Sequence, residues 1–271
     1  HDEPFLVYNG DILTDLPLAP LIEEHQRSGN IITLALRSHG PALHIAYDAA
    51  GRRVTDIRNK LETGDEGTHL FTGIYACSPA IHDWLTPGKV ESVIPIFLEM
   101  IRRGVKVGAV VLDEGQWWDL GSRTQYLAAH AALNGMHGPA IHPEAQVSPD
   151  AILRRTNVIG PGAAVEPGCQ LEDCILWPHA RVVTGARLAR CIVRSNVTAA
   201  GTFEDVDFFQ RRHQRVGTGG LVAQIDKGGE ALQHIVALFQ FLQVDVQIIL
   251  RKALGRTRLF GVAQLTQGIT M

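Results

Sequence analysis

Cysteine is scarce in this chain of 271 residues: there are four, Cys77, Cys169, Cys174 and Cys191, and no Cys-x-x-Cys pair. A chain this long can bury a core without disulfide staples, so the four read as reduced thiols and the cytoplasm as the default compartment. An excess of one charge is also lacking. Lys plus Arg number 25 against 28 Asp plus Glu, a net charge of -3, which removes the electrostatic basis for a nucleic-acid partner. No long hydrophobic run is present either. The most apolar late stretch, Ile235 to Leu250, is broken by Gln240, Gln243, Asp245 and Gln247 and falls short of the roughly 20 apolar residues of a membrane span. Neither a membrane segment nor a signal-peptide pattern is read. An opening methionine is missing too: the chain begins His1-Asp2-Glu3-Pro4 and enters the apolar strand Phe5-Leu6-Val7-Tyr8 at once. A strand apolar on both faces fits the middle of a parallel sheet covered by helices, so the expectation is a fold whose first portion lies upstream.

What is there divides into three zones. Over 1–135 strands and helices alternate, as in an α/β layered domain. Pro17, Leu18, Leu21 and Ile22 predict a helix stopped by Gly29 before a strand from Ile31 to Leu36. Ala42 to Tyr47 and Val54 to Ile57 predict a hairpin, and Leu70 to Ala76 a strand. Ser78-Pro79 opens a helix, Val93 to Arg103 is another closed by Gly104, and Val105 to Leu112 returns as strand. Ser122 with Gln125 forms a capping box for a helix toward Leu133. Over 140–208 the period changes to six, with aliphatics at Ile141, Val147, Leu153, Ile159, Val165 and Leu171, resumed at Leu176, Val182 and Leu188 after one five-residue step. Each hexad supplies one short strand and one corner, and stacked triangular coils bury the aliphatics in a column. The tail, 209–271, carries no recognisable chemistry; Ala231 to Leu254 reads as a helix apolar nearly all round, suited to burial or to oligomer formation.

Three segments carry a resemblance. Val7-Tyr8-Asn9-Gly10-Asp11 sets an aspartate just past the carboxyl end of a strand, where open α/β sheets bind ligands. Phe71-Thr72-Gly73-Ile74-Tyr75 and Trp117-Trp118-Asp119-Leu120-Gly121-Ser122 follow in order. Together with the hexapeptide coil, these resemble the sugar-1-phosphate nucleotidyltransferases over roughly residues 4 to 208. The resemblance implies an α/β, Rossmann-like (GT-A-like) nucleotidyltransferase domain lacking its N-terminal part, followed by a left-handed parallel β-helix of hexapeptide repeats. It also implies a reaction in which the phosphate of a hexose 1-phosphate attacks the α-phosphorus of a nucleoside triphosphate. Such chemistry needs no protein nucleophile, only in-line positioning and charge neutralisation by Mg²⁺ and cationic side chains.

By that resemblance Asp11 and Asp119 are the catalytic carboxylates and the Mg²⁺ ligands, while Asn9, Gly10, Thr72 and Gly73 bind substrate. Lys60 stands where the family places a phosphate-holding lysine, although here the text reads Arg58-Asn59-Lys60-Leu61-Glu62 without the family's flanking Glu and Pro. Taken singly, Asp11 reads equally as a turn aspartate, Asp119 as a helix-flanking carboxylate, Gly73 as a glycine easing strand packing and Lys60 as a solvated surface lysine. The family's Gly-x-Gly-x-Arg loop and following Pro-Lys segment occur nowhere in the sequence, so the chain as given is expected to bind nucleotide weakly and not to turn over. GTP with mannose 1-phosphate is the first substrate pair, and glucose 1-phosphate with UTP or dTTP the second. Two other readings stand beside it. One is a nucleotidyltransferase-like regulatory or assembly subunit. The other is a hexapeptide acyltransferase using His142 or His179, each beside a proline at a corner of the coil. A homo-oligomer through the β-helix is left open.

Overall fold

The computed structural model describes residues 3–88, 91–134 and 138–209. They fall into two compact units divided between Trp117 and Trp118; the predicted helix Ala231 to Leu254 lies outside the described residues.

The first unit contains β1 (Phe5–Tyr8), β2 (Ile12–Thr14), α1 (Ala19–Ser28), β3 (Ile32–Arg37), β4 (Ile45–Asp48), β5 (Arg53–Ile57), β6 (Leu70–Cys77), a 3-10 turn at Pro79–Trp84, α2 (Ile94–Arg102) and β7 (Val107–Val111). Its main sheet has the order β1-β6-β3-β7-β5-β4. The central strand β3 is buried at every residue, as its run Ile-Thr-Leu-Ala-Leu requires, and runs parallel to β7 but antiparallel to β6. Helix α1 starts two residues later than Pro17 suggests, with Pro20 in its first turn, and ends where Gly29 adopts φ 61. The segment after Ser78 tightens to a 3-10 turn. Ile96, Phe97 and Met100 of α2 are buried with Leu34, Ile57 and Val107 in one core. Among the described residues β1 lies at the end of the sheet and is half-buried at each residue, and its pairing with β6 is antiparallel, which corrects the expected parallel one. Its apolar run reads as a central strand because both faces carry hydrophobic side chains, a pattern that says nothing about which neighbour it meets.

Strand β8 (Trp117–Asp119) spans the division, and α3 (Arg123–Asn134) belongs to the second unit. Ser122 Oγ accepts the Gln125 N–H at 3.3 Å and donates to Gln125 Oε1 at 2.7 Å, so the capping pair closes side chain to side chain. The rest of the unit is a parallel β-solenoid with three faces. The first is built by Ala140–Ile141, Val158–Ile159, Ile175–Leu176, Ile192–Val193 and Asp207–Phe208; the second by Gln146–Val147, Ala164–Val165, Arg181–Val182 and Thr198–Ala199; the third by Ile152–Arg154, Gln170–Glu172, Arg187–Ala189 and Thr202–Glu204. Ile159, Val165, Leu171, Leu176, Val182 and Leu188 form the buried column that the six-residue period requires. Each such side chain contributes about 1.5–3 kcal/mol of burial before entropy is subtracted. The three column residues of the first coil are less covered: Val147 and Leu153 are half-buried and Ile141 is 45% exposed, with no further strand of that face stacked beyond it among the described residues.

Every coil turns on left-handed residues. Gly162, His179 and Asn196 take positive φ at the corner between the first and second faces, and Gly168, Gly185 and Gly201 at the next. Arg155, Asp173, Arg190 and Asp205 do so at the third. At this last corner the charges alternate, and Arg155 pairs with Asp173 at 3.4 Å and Arg190 with Asp205 at 2.8 Å. The second and third faces alternate buried and outward residues, whereas four of the five strands of the first face are buried at both positions. Helix α3 accounts for part of that cover: Arg123 Nε donates to Asp207 Oδ1 at 2.8 Å, and Tyr126, Ala129 and His130 are buried.

Candidate functional site

The pairings Tyr8–Ile74, Arg37–Leu70 and Leu36–Val111 bring the carboxyl ends of β1, β3 and β7 to one edge, together with the start of β6. That is where an open α/β sheet presents its ligand-binding loops. At this edge the β3–β6 ladder slips: Leu34 faces Tyr75 but Leu36 faces Phe71, so β6 bulges around Thr72 and Gly73. Bulges of this kind re-aim a strand beside a site.

The bulge gathers several of the expected residues. Asn9 N–H donates to the Gly73 carbonyl at 3.0 Å, and Trp117 Nε1 donates to the Thr72 carbonyl at 2.9 Å. Gly73 has φ 78, and a Cβ there would meet Asn9 Nδ2 and Ile12 Cγ1 at 3.0 Å. Glycine is therefore demanded by conformation and by packing at once. The space beside its Cα is filled by Asn9 and Ile12, so the close approach at this position is made by the protein's own side chains. Thr72 is fully buried: its hydroxyl donates to the Ala35 carbonyl at 2.8 Å and accepts the Ile74 N–H at 3.3 Å. The expectation that Thr72 touches a sugar does not hold for its side chain, which is committed to the sheet. Asn9 and Gly10 are exposed in the turn after β1, and Asp11 is half-buried beside them.

Around the same edge the segment leading to β8 is fastened. Thr14 Oγ1 donates to the Gln116 carbonyl, the Asp15 carboxylate accepts the Gln116 N–H, and Arg37 donates to the carbonyls of Gly115 at 3.2 Å and Asp113 at 3.4 Å. Arg37 is a buried cation whose guanidinium meets backbone carbonyls and the His39 ring. Burial opposes the charge on Asp113, yet hydrogen bonds from the Ser38 hydroxyl and N–H, with the His39 and Arg37 charges, hold its carboxyl below the usual range. None of Arg37, Asp113, Asp15 or Trp117 was singled out in the sequence as a site residue. A polar residue ending a buried strand, as Arg37 ends β3, is the signal that could have found the first.

Asp119 lies in the second unit, half-buried, with Oδ1 accepting the Gly121 N–H at 2.8 Å in the turn that leads into α3. Asp11 belongs to the first. Their hard carboxylate oxygens suit Mg²⁺, which takes one or two protein carboxylates and keeps water and phosphate oxygens for the rest. Among the described residues no group of three or more His, Cys, Asp or Glu side chains is gathered for a metal. Lys60 is exposed on the loop after β5, and that loop is tied to the start of β6 through Arg58 N–H to His44 O at 2.7 Å and His44 N–H to His69 O at 2.9 Å. Of the coil histidines, His142 Nδ1 accepts the Glu144 N–H at 3.2 Å, and His179 sits at a left-handed corner with its ring against Gly162. Both serve corner geometry.

The four cysteines are free and buried. Among the described residues no helix is long and apolar enough to cross a membrane.

No protein-family model matches the chain. Individual relatives do. A mannose-1-phosphate guanylyltransferase of Mycobacterium tuberculosis is 28% identical over 204 residues, covering 68% of this chain and 55% of that protein. A probable mannose-1-phosphate guanylyltransferase 3 of Oryza sativa subsp. japonica is 26% identical over 215 residues, 72% of this chain and 56% of that protein. A UTP--glucose-1-phosphate uridylyltransferase of Synechocystis is 24% identical over 233 residues, 71% of this chain and 59% of that protein. The chain thus spans about half the length of the curated relatives it matches. Over about 70% of its residues, then, this chain is similar to nucleotidyltransferases that act on sugar 1-phosphates.

Proposed function

We propose that the protein containing this chain transfers a nucleotidyl group from a nucleoside triphosphate to a hexose 1-phosphate, releasing pyrophosphate. GTP and mannose 1-phosphate are the first pair to test, following the names of most relatives, and UTP with glucose 1-phosphate the second, following the Synechocystis relative. The observation that carries the reading is the bulged edge where Asn9, Gly73 and Trp117 meet through two backbone carbonyls. It unites the three sequence segments by which the resemblance was drawn.

In this reading Asp11 and Asp119 are the carboxylates for Mg²⁺, which when bound offsets charge on the phosphates. Asn9 and Gly10 face the substrate from the turn after β1, and Lys60 holds the sugar phosphate as a point charge. Nucleotide affinity calls for an amide-rich, cationic loop, and the Gly-x-Gly-x-Arg pattern is not among these 271 residues. The reading therefore gives the isolated chain little turnover. Assembly through the outward faces of the coil and a cytoplasmic setting, consistent with four buried thiols, belong to the same proposal.

The test is Mg²⁺-dependent pyrophosphate release by the intact protein with each substrate pair. Asp119→Asn keeps an oxygen for the Gly121 N–H and removes the charge. It should lower the rate about a hundredfold or more while leaving thermal unfolding unchanged. An unaltered rate removes Asp119 from the mechanism. Absence of pyrophosphate release with every pair favours the regulatory-subunit reading.

A further inference from the structure

The loop after β5 is built around a buried acid. Asp56 is 0% exposed within the strand Arg53–Ile57, and its carboxylate turns forward to collect the donors of the loop that follows. Oδ1 accepts the N–H groups of Ile57 at 2.6 Å, Lys60 at 2.9 Å and Leu61 at 3.1 Å, and Oδ2 accepts Leu61 N–H at 3.1 Å and the Thr63 hydroxyl at 3.4 Å. Burying a carboxylate is costly unless nearly all its lone pairs are used, and here they are. The backbone it organises is itself unfavourable: Arg58, Asn59 and Glu62, none of them glycine, hold φ of 57, 51 and 54. In the coil such residues recur at corresponding corners of successive turns. In the first unit three of the four among the described residues lie in this loop, the fourth being Arg52 in the turn before β5, and strain gathered in one loop is a mark of a functional constraint. The residue whose amide the carboxylate holds most directly after the turn is Lys60, the expected phosphate-binding cation.

We propose that Asp56 is a positioning residue that fixes the 57–63 loop so that Lys60 meets the phosphate of a hexose 1-phosphate without first having to order its own backbone. The proposal rests on the functional reading above. An unorganised loop would have to be ordered on binding, and the affinity would fall by that cost.

The experiment compares Asp56→Ala, Lys60→Ala and the double variant, in this chain for exchange and binding and in the intact protein for kinetics. Three readouts are used: amide hydrogen exchange at Lys60 and Leu61, equilibrium binding of mannose 1-phosphate and glucose 1-phosphate with inorganic phosphate as competitor, and the KM for sugar phosphate. In Asp56→Ala the two amides should exchange at least about tenfold faster, and sugar-phosphate affinity should fall about tenfold. KM should rise by a larger factor than kcat falls, and adding Asp56→Ala to Lys60→Ala should cost no further affinity. Asp56→Asn, which retains the Oδ1 acceptor, should recover part of both effects, and it carries the same comparison if the alanine variant does not fold. Unchanged exchange, or an equal further loss of affinity in the Lys60→Ala background, overturns the positioning role. Failure of the unaltered chain to bind either hexose 1-phosphate overturns the functional reading and the role given to Lys60, whereas the exchange result judges Asp56 as organiser of the loop by itself.

Discussion

The coil and the sheet unit both contain left-handed residues that are not glycine, and they use them in opposite ways. In the coil His179, Asn196, Arg155, Asp173, Arg190 and Asp205 occupy equivalent corners, one above another. In the sheet unit Arg58, Asn59 and Glu62 crowd one loop, Arg52 sits in the hairpin turn between β4 and β5, and Gly73 stands alone in a strand. Repetition marks a backbone conformation as part of the architecture: every coil needs its corners, and any residue that tolerates the geometry serves. Isolation marks it as local to one task. The same contrast holds for polar burial. Corner charges in the coil pair with each other near solvent, whereas Asp56 and Arg37 in the sheet unit are buried and spend most of their hydrogen bonds on backbone.

Three substitutions test that contrast. The largest effect is expected from Val165→Asp, since Val165 is 2% exposed in the aliphatic column and a carboxylate there has no partner. A loss of about 3–5 kcal/mol is expected, read as an early unfolding transition of the coil with the sheet unit's transition retained. A variant equally heat-stable would remove Val165 from the column. Next comes Gly73→Ala. A left-handed alanine and two contacts at 3.0 Å should together cost about 1–3 kcal/mol, accompanied by loss of sugar-phosphate binding because Asn9 is displaced. Retained stability would mean that the bulge is replaceable, against the distinction drawn here. The smallest effect is expected at a coil corner, where Arg155→Gly removes the ion pairs of a 69% exposed arginine with Glu172 and Asp173 but relieves the left-handed conformation. The opposing terms should leave unfolding within about 0.5 kcal/mol of the parent. A larger loss would make the corner side chain more than a placeholder.

Much of the coil was legible because its signal is periodic: Ile159 through Leu188 mark the column in text as in space. What was not legible there is which face is covered. The clue was present as apolar doublets, Val158-Ile159, Ile175-Leu176 and Ile192-Val193, where the other faces set a polar residue beside the column position. In the sheet unit the helix and strand positions followed from punctuation such as Gly29 and Gly104, but pairing did not. The apolar run of β1 cannot tell a parallel neighbour from an antiparallel one. Nor can the text tell that Thr72 turns inward, since the slip that turns it depends on Ala35, far away in sequence. Asp56 was missed because an acid amid Val54 and Ile57 reads as the outward residue of an alternating strand, while its role depends on amides that follow the strand.

The alternating corner Arg155, Asp173, Arg190, Asp205 bears on how such a coil can change length. The aliphatic column is indifferent to how many turns it has, so removal of one turn would leave its packing intact. The corner is not indifferent: losing a single turn would set arginine upon arginine or aspartate upon aspartate, whereas losing two would restore the alternation. The ladder thus works as a parity check, favouring gain or loss of turns in pairs.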